Sequence, residues 1–184
     1  DGMPDPNPER PTYEVPFEVL IPKSALTTPA PLLQYGHGLL GSRQQIEAAN
    51  FRKLISEKNY ILFALDLVGM ADDDSGHIAN TLGSGQLERM STMFDRMHQG
   101  FLNWLIAMRM MSRGFAKDPT FGAYVDPTQR YYHGISQGGI SGGVYMAAST
   151  DVERGVLSVM GQPYGFLLNR SVDFAPFFLV LRGT

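Results

Sequence analysis

Gly134-Ile135-Ser136-Gln137-Gly138 is the segment whose residue types and spacing could do chemistry. It follows a short strand-like run, Arg130 to His133, and opens a helical stretch that reaches Ser149. A chain that turns sharply from strand to helix holds the residue at the turn in a strained conformation. Side chains two residues before and two after would collide there, so glycine is required at Gly134 and Gly138. A serine in that position projects from the helix N-terminus as a nucleophile, where backbone N–H groups stabilise negative charge. The N–H of Gln137 is then placed to hold the anionic oxygen of a tetrahedral intermediate. This is the apparatus of acyl transfer, and it calls for no cofactor. A glycine-rich turn could instead belong to a nucleotide site, but the turn at Gly134 to Gly139 is not G-x-G-x-x-G, and no G-x-x-x-x-G-Lys-Ser/Thr phosphate cradle occurs.

A second glycine cluster, Gly36-His37-Gly38-Leu39-Leu40-Gly41, lies earlier in the chain, after the strand candidate Leu32 to Tyr35. Alone it reads either as a tight turn with a structural histidine or as a loop that offers N–H donors. Together with Tyr131-Tyr132-His133-Gly134-Ile135-Ser136-Gln137-Gly138-Gly139, and in this order, it resembles the α/β-hydrolase superfamily, specifically its serine esterases and lipases. The resemblance covers about residues 13–160, the N-terminal portion of such a domain through the nucleophile elbow. It implies Ser136 as nucleophile, Leu39 as the second oxyanion donor beside Gln137, and Gly36, Gly38, Gly134 and Gly138 as the motif glycines. It gives His37 the task of shaping the loop through hydrogen bonds rather than serving as base. The implied activity is hydrolysis of a small-molecule carboxylic ester. Amidase, peptidase, thioesterase and acyltransferase chemistry use the same parts, and a non-catalytic hydrolase-like binding or assembly module is the alternative.

In this fold the triad runs Ser, then Asp or Glu, then His. After Ser136 the chain offers Asp151, Glu153 and Asp173, and no histidine. Asp173 comes within range if the acid follows the sixth strand, although a lone aspartate more often caps or braces. His77, His98 and His133 read as loop, helix and strand positions. The acid and the histidine are therefore expected outside this chain, on a missing C-terminal segment or a companion chain. The last strand candidate, Val156 to Met160, would be the sixth of the eight strands the resemblance implies, and the apolar run Phe174 to Leu181 asks for a covering surface. The chain starts without methionine or a signal-peptide pattern, as expected of an excised piece or a processed secreted or periplasmic product.

The elements that must position these residues follow from the apolar pattern. Residues 1–12, with four prolines, read as an irregular arm, and residues 13–184 as one domain. Tyr13 to Ile21 is strand-like. Ser42 looks like an N-cap before the helical rhythm of Ile46, Ala49, Phe51, Leu54 and Ile55, which stops at Asn59. Tyr60 to Leu65 reads as a strand buried on both faces, residues 69–85 as a loop, and Gln86 to Arg113 as helix, broken near Gly100. The alternation implies an α/β fold with a mostly parallel sheet and helices on both faces, incomplete at its C-terminus.

The remaining signals are weaker. Of the ten methionines, the six clustered at 90–111 have helical spacing that suits core packing, while their adaptable side chains would also suit a lipid-like pocket or a cap over Ser136. Asp66 with Asp72-Asp73-Asp74 could suggest calcium, but the spacing matches no EF-hand, so the segment reads as a solvated acidic loop without metal. A net charge of −3 gives no footprint for nucleic acid. No apolar run is long enough to span a membrane, and the absence of cysteine excludes disulfides and thiolate metal sites.

Overall fold

The computed structural model describes residues 8–9 and 12–183, so most of the proline-rich arm lies outside the described residues. Five strands form one sheet in the order β1-β3-β2-β4-β5. They are β1 (Phe17–Leu20), β2 (Ala30–Gly36), β3 (Ile61–Leu65), β4 (Val125–Ile135) and β5 (Arg154–Ser158). β1 pairs antiparallel with β3, and the other pairings are parallel. The helices are α1 (Ala49–Lys58), α2 (Ser75–Gly83), α3 (Ser91–Arg113), α4 (Gln137–Ala148), the short α5 (Tyr164–Leu167) and α6 (Ala175–Arg182). The chain is thus α/β, with a mostly parallel sheet. Among the described residues, no helix is long and apolar enough to cross a membrane.

Side-chain alternation along β3 divides the core. Ile61, Phe63 and Leu65 face the cluster built by α3 and α4, which contains Trp104, Met108, Met111, Tyr132 and Tyr145. Leu62 and Ala64 face the smaller cluster under α1, with Phe51, Ile55, Tyr35 and Ile46. Every residue of β3 is buried, as a strand covered on both faces requires. Trp104, Tyr132 and Tyr145 pack ring against ring and are almost wholly buried, each contributing about 2–3 kcal/mol of apolar transfer.

Several elements differ from the sequence expectation, each for a local reason. The acidic, glycine-rich stretch expected as loop contains α2, because Ile78, Thr81 and Leu82 repeat on one buried helical face. α3 runs unbroken through Gly100. A β-carbon there would lie 2.8 Å from the Val68 carbonyl oxygen, so the glycine permits close approach to the chain leaving β3 rather than a break. Ser42 precedes a 3₁₀ turn, Arg43–Glu47, and makes no side-chain cap; α1 begins later, at Ala49. Asn59 does stop α1, in the left-handed conformation at φ 56°. β4 begins at Val125 rather than Arg130, with a register irregularity opposite Pro31 and Leu32. The apolar tail forms α6 and packs Phe177 and Leu181 on the core, leaving Leu179 and Val180 exposed.

Candidate active site

Gly36 and Gly134 are register partners at the carboxyl ends of the adjacent strands β2 and β4. Beyond them the chain departs in opposite directions. β2 leads toward α1, packed on one face of the sheet, and β4 leads into α4, packed on the other. Such a divergence opens a crevice at the strand ends, the general location of ligand sites in open α/β sheets.

Ser136 sits at this divergence with φ 56° and ψ −117°. That region costs a non-glycine residue of the order of 1–3 kcal/mol, so the surroundings must impose it. They do so through three contacts. The Ser136 N–H donates to the Ser158 carbonyl at 3.0 Å, carrying the β4–β5 ladder one residue past the strand. The Ile140 N–H donates to the Ser136 carbonyl and begins the helix. Tyr132 donates its hydroxyl to the Gly138 carbonyl at 2.6 Å, bracing the turn from the core side. The glycines are sterically compelled. A β-carbon at Gly134 would lie 2.1 Å from the Gly138 carbonyl oxygen, one at Gly138 would lie 2.0 Å from the Gly36 carbonyl oxygen, and one at Gly36 would strike the Tyr132 hydroxyl. Gly38 differs: a β-carbon there meets only Gln45, at 3.8 Å.

The loop after β2 is pinned along its length. The buried His37 accepts the Leu67 N–H on Nε2 at 2.8 Å, so Nδ1 carries the proton and donates to the Gly38 carbonyl at 2.8 Å. Burial lowers the His37 pKa from its ordinary value and keeps the ring neutral, as this pattern needs. The Gly38 N–H is consumed by Gln45 Oε1 at 3.1 Å. Among the described residues, the Leu39 N–H donates no hydrogen bond. Asp66 accepts the Arg43 N–H at 2.6 Å and pairs with its guanidinium. The Asp72 N–H donates to the Gly41 carbonyl. Asp74, nearly buried, accepts the N–H groups of Gly69 and Ala71 and pairs with Arg96 at 2.7 Å. The acidic stretch is therefore structural in Asp66 and Asp74, and among the described residues no cluster could hold a metal ion.

Leu39, Ser136 and Gln137 line one small cleft of about 30 Å³. Ile140, Tyr164, Leu168, Ser171 and Asp173 close its other sides. Of the three carboxylates that follow Ser136, only Asp173 reaches this cleft. Asp151 is held by Arg109 at 3.0 Å and Glu153 by Arg130 at 3.2 Å. None of the four histidines lines it. His37 is committed within its loop, His133 contacts Ser158 Oγ at 3.2 Å and lies beside Tyr35 and Phe51, His77 pairs with Thr92, and His98 is exposed on α3. Tyr164, which hydrogen-bonds to Gln137 Oε1, has its pKa pushed up to about 12 by burial, so it is a proton donor and not a base near neutrality.

No protein-family model matches the sequence, and no curated protein matches it.

Three contributors to the site were not evident in the sequence. Tyr132 reads as an ordinary strand residue, yet its hydroxyl fixes the elbow. Gln34 is a fully buried amide in an apolar strand, accepting the Tyr145 hydroxyl at 2.6 Å and so tying α4 to β2. Its polarity inside an otherwise apolar run was the available signal. Tyr164 lies in a segment without clear periodicity, and nothing in the sequence pointed to it.

Proposed function

We propose that this chain carries the nucleophile and oxyanion hole of a serine hydrolase of the α/β-hydrolase type that acts on carboxylic esters. The observation that carries this reading is the backbone of Ser136, a non-glycine residue held at φ 56° and ψ −117° between β4 and α4. Strain of that kind persists where the surroundings over-determine it, and it accumulates at functional sites. Leu39, whose N–H donates no hydrogen bond among the described residues, and Gln137 both line the Ser136 cleft and support the same reading.

The steps follow from these groups. Ser136 Oγ attacks the ester carbonyl carbon and passes its proton to a histidine base. The carbonyl oxygen becomes anionic and accepts hydrogen bonds from the Leu39 and Gln137 N–H groups. Collapse breaks the ester C–O bond, and the protonated base delivers its proton to the leaving alkoxide. Water, deprotonated by the same base, releases the acid from the acyl-serine. In this reading the histidine comes from a further segment or a companion chain, because none of the four histidines here lines the Ser136 cleft. Asp173 is the candidate within this chain for the acid that orients it. Ser136→Ala in the full-length protein should abolish turnover of a p-nitrophenyl ester while leaving the fold intact. Turnover equal to wild type would remove Ser136 from the mechanism.

A further inference from the structure

The Ser136 cleft opens beside a second, much larger cavity. It measures about 400 Å³, within the range of clefts that hold drug-sized molecules. Its lining is wholly apolar and comes both from α2, α3 and the turns before them, including Met90, Met93 and Met97, and from the C-terminal segment, including Phe174 and Phe177. Leu39, Tyr164 and Leu168 line both spaces and so form the wall between the nucleophile and the apolar chamber. The methionines divide accordingly. Met108 and Met111 are fully buried core, whereas Met90 and Met97, with the buried Met93, line the cavity with unbranched side chains that repack around ligands of different shape.

We infer that this cavity binds a medium-length apolar chain of the ester whose carbonyl is attacked by Ser136. The inference rests on the proposed function and adds the substrate class: esters with one medium-length aliphatic arm, against short polar esters. Leu39 lines both the Ser136 cleft and the chamber and so connects the two sites. An ester carbonyl held at Ser136 therefore has apolar surroundings within reach of one of its substituents. No charged group lines the chamber, so a charged arm would enter without a partner and at high desolvation cost.

The test uses the full-length protein with Ser136→Ala, so that binding is read without chemistry, and non-reacting amides in place of esters. N-methyldecanamide carries the chain on the acyl side, N-decylacetamide carries it on the leaving-group side, and N-methylacetamide lacks it. Calorimetric affinity should rise about threefold to fourfold per methylene in one of the two series and level off once the chamber is filled. The series that rises identifies the arm. Met90→Trp, which fills the chamber from a half-exposed position, should abolish that rise. Ile78→Ala should move the plateau to longer chains. Affinity independent of chain length in both series would overturn the inference. The two readings fail separately: a flat series in a protein whose Ser136 reacts with a fluorophosphonate removes the chamber's role, while a rising series in a protein whose Ser136 never reacts removes the hydrolase.

Discussion

Gly138 packs directly on the carbonyl of Gly36: a β-carbon on the one would stand 2.0 Å from the oxygen of the other. This contact joins the two glycine motifs, otherwise far apart in the chain. It fixes α4 against the end of β2, and thereby sets Ser136 and Gln137 beside the loop that carries Leu39. Gly138→Ala forces backbone to move against backbone and should cost at least about 4 kcal/mol, or prevent folding. Gly38→Ala meets only the end of the Gln45 side chain and should cost under about 1 kcal/mol. Thermal melts of the two variants check the contrast, and equal losses would contradict it.

The neutral His37 makes stability depend on pH. Burial lowers its pKa in the fold, and that of the half-buried His133, below the unfolded value. Below about pH 6.5 the unfolded chain takes up protons that the folded chain refuses. The stabilisation is therefore complete above that pH and is lost as pH falls from there toward the lowered folded values. Denaturant titrations from pH 7.5 to 5 should show the decline, and His37→Gln should flatten most of it. An unchanged slope in the variant would show that His37 is not the sensing group.

Asp74 should matter far more than a half-exposed acidic residue such as Glu153. It is nearly buried and satisfies two backbone N–H groups as well as Arg96. Asp74→Ala leaves those donors unpaired in a dry site and should cost about 2–4 kcal/mol. Glu153→Ala removes only a half-exposed pair with Arg130, and should cost under about 1 kcal/mol. Chemical denaturation of both variants measures the difference.

None of His77, His98 or His133 serves as the base in this account. His77→Ala, His98→Ala and His133→Gln should each leave ester turnover by the full-length protein close to wild type. Loss of turnover by two orders of magnitude or more in one of them, the scale of a missing proton acceptor, would identify an internal base and overturn the view that the histidine lies beyond this chain.

The sequence was most readable where sterics leave one solution. Gly134 and Gly138 flank a turn that admits no side chain, and the unbroken apolar run before Asp66 reads as a doubly covered strand because nothing else buries it. The order of strands and helices followed from the same alternation. α2 was hidden because its glycine, asparagine and serine content mimics a loop, and only contact with the core selects its helical face. Gly100 read as a break because a close approach between α3 and the chain after β3 leaves no local mark. The chamber was equally hidden: helical spacing of methionines is identical whether they face core or cavity, and the difference arises from how α2, α3 and α6 are placed in three dimensions.

Reaction of Ser136 with a fluorophosphonate is the sharpest test that this serine is the nucleophile. The full-length protein is incubated with the probe, digested, and the modified residue located by mass spectrometry. The account predicts a covalent adduct on the peptide bearing Ser136, absent in Ser136→Ala. A folded protein that forms no adduct, or that carries it on another serine with Ser136 unmodified, would contradict it.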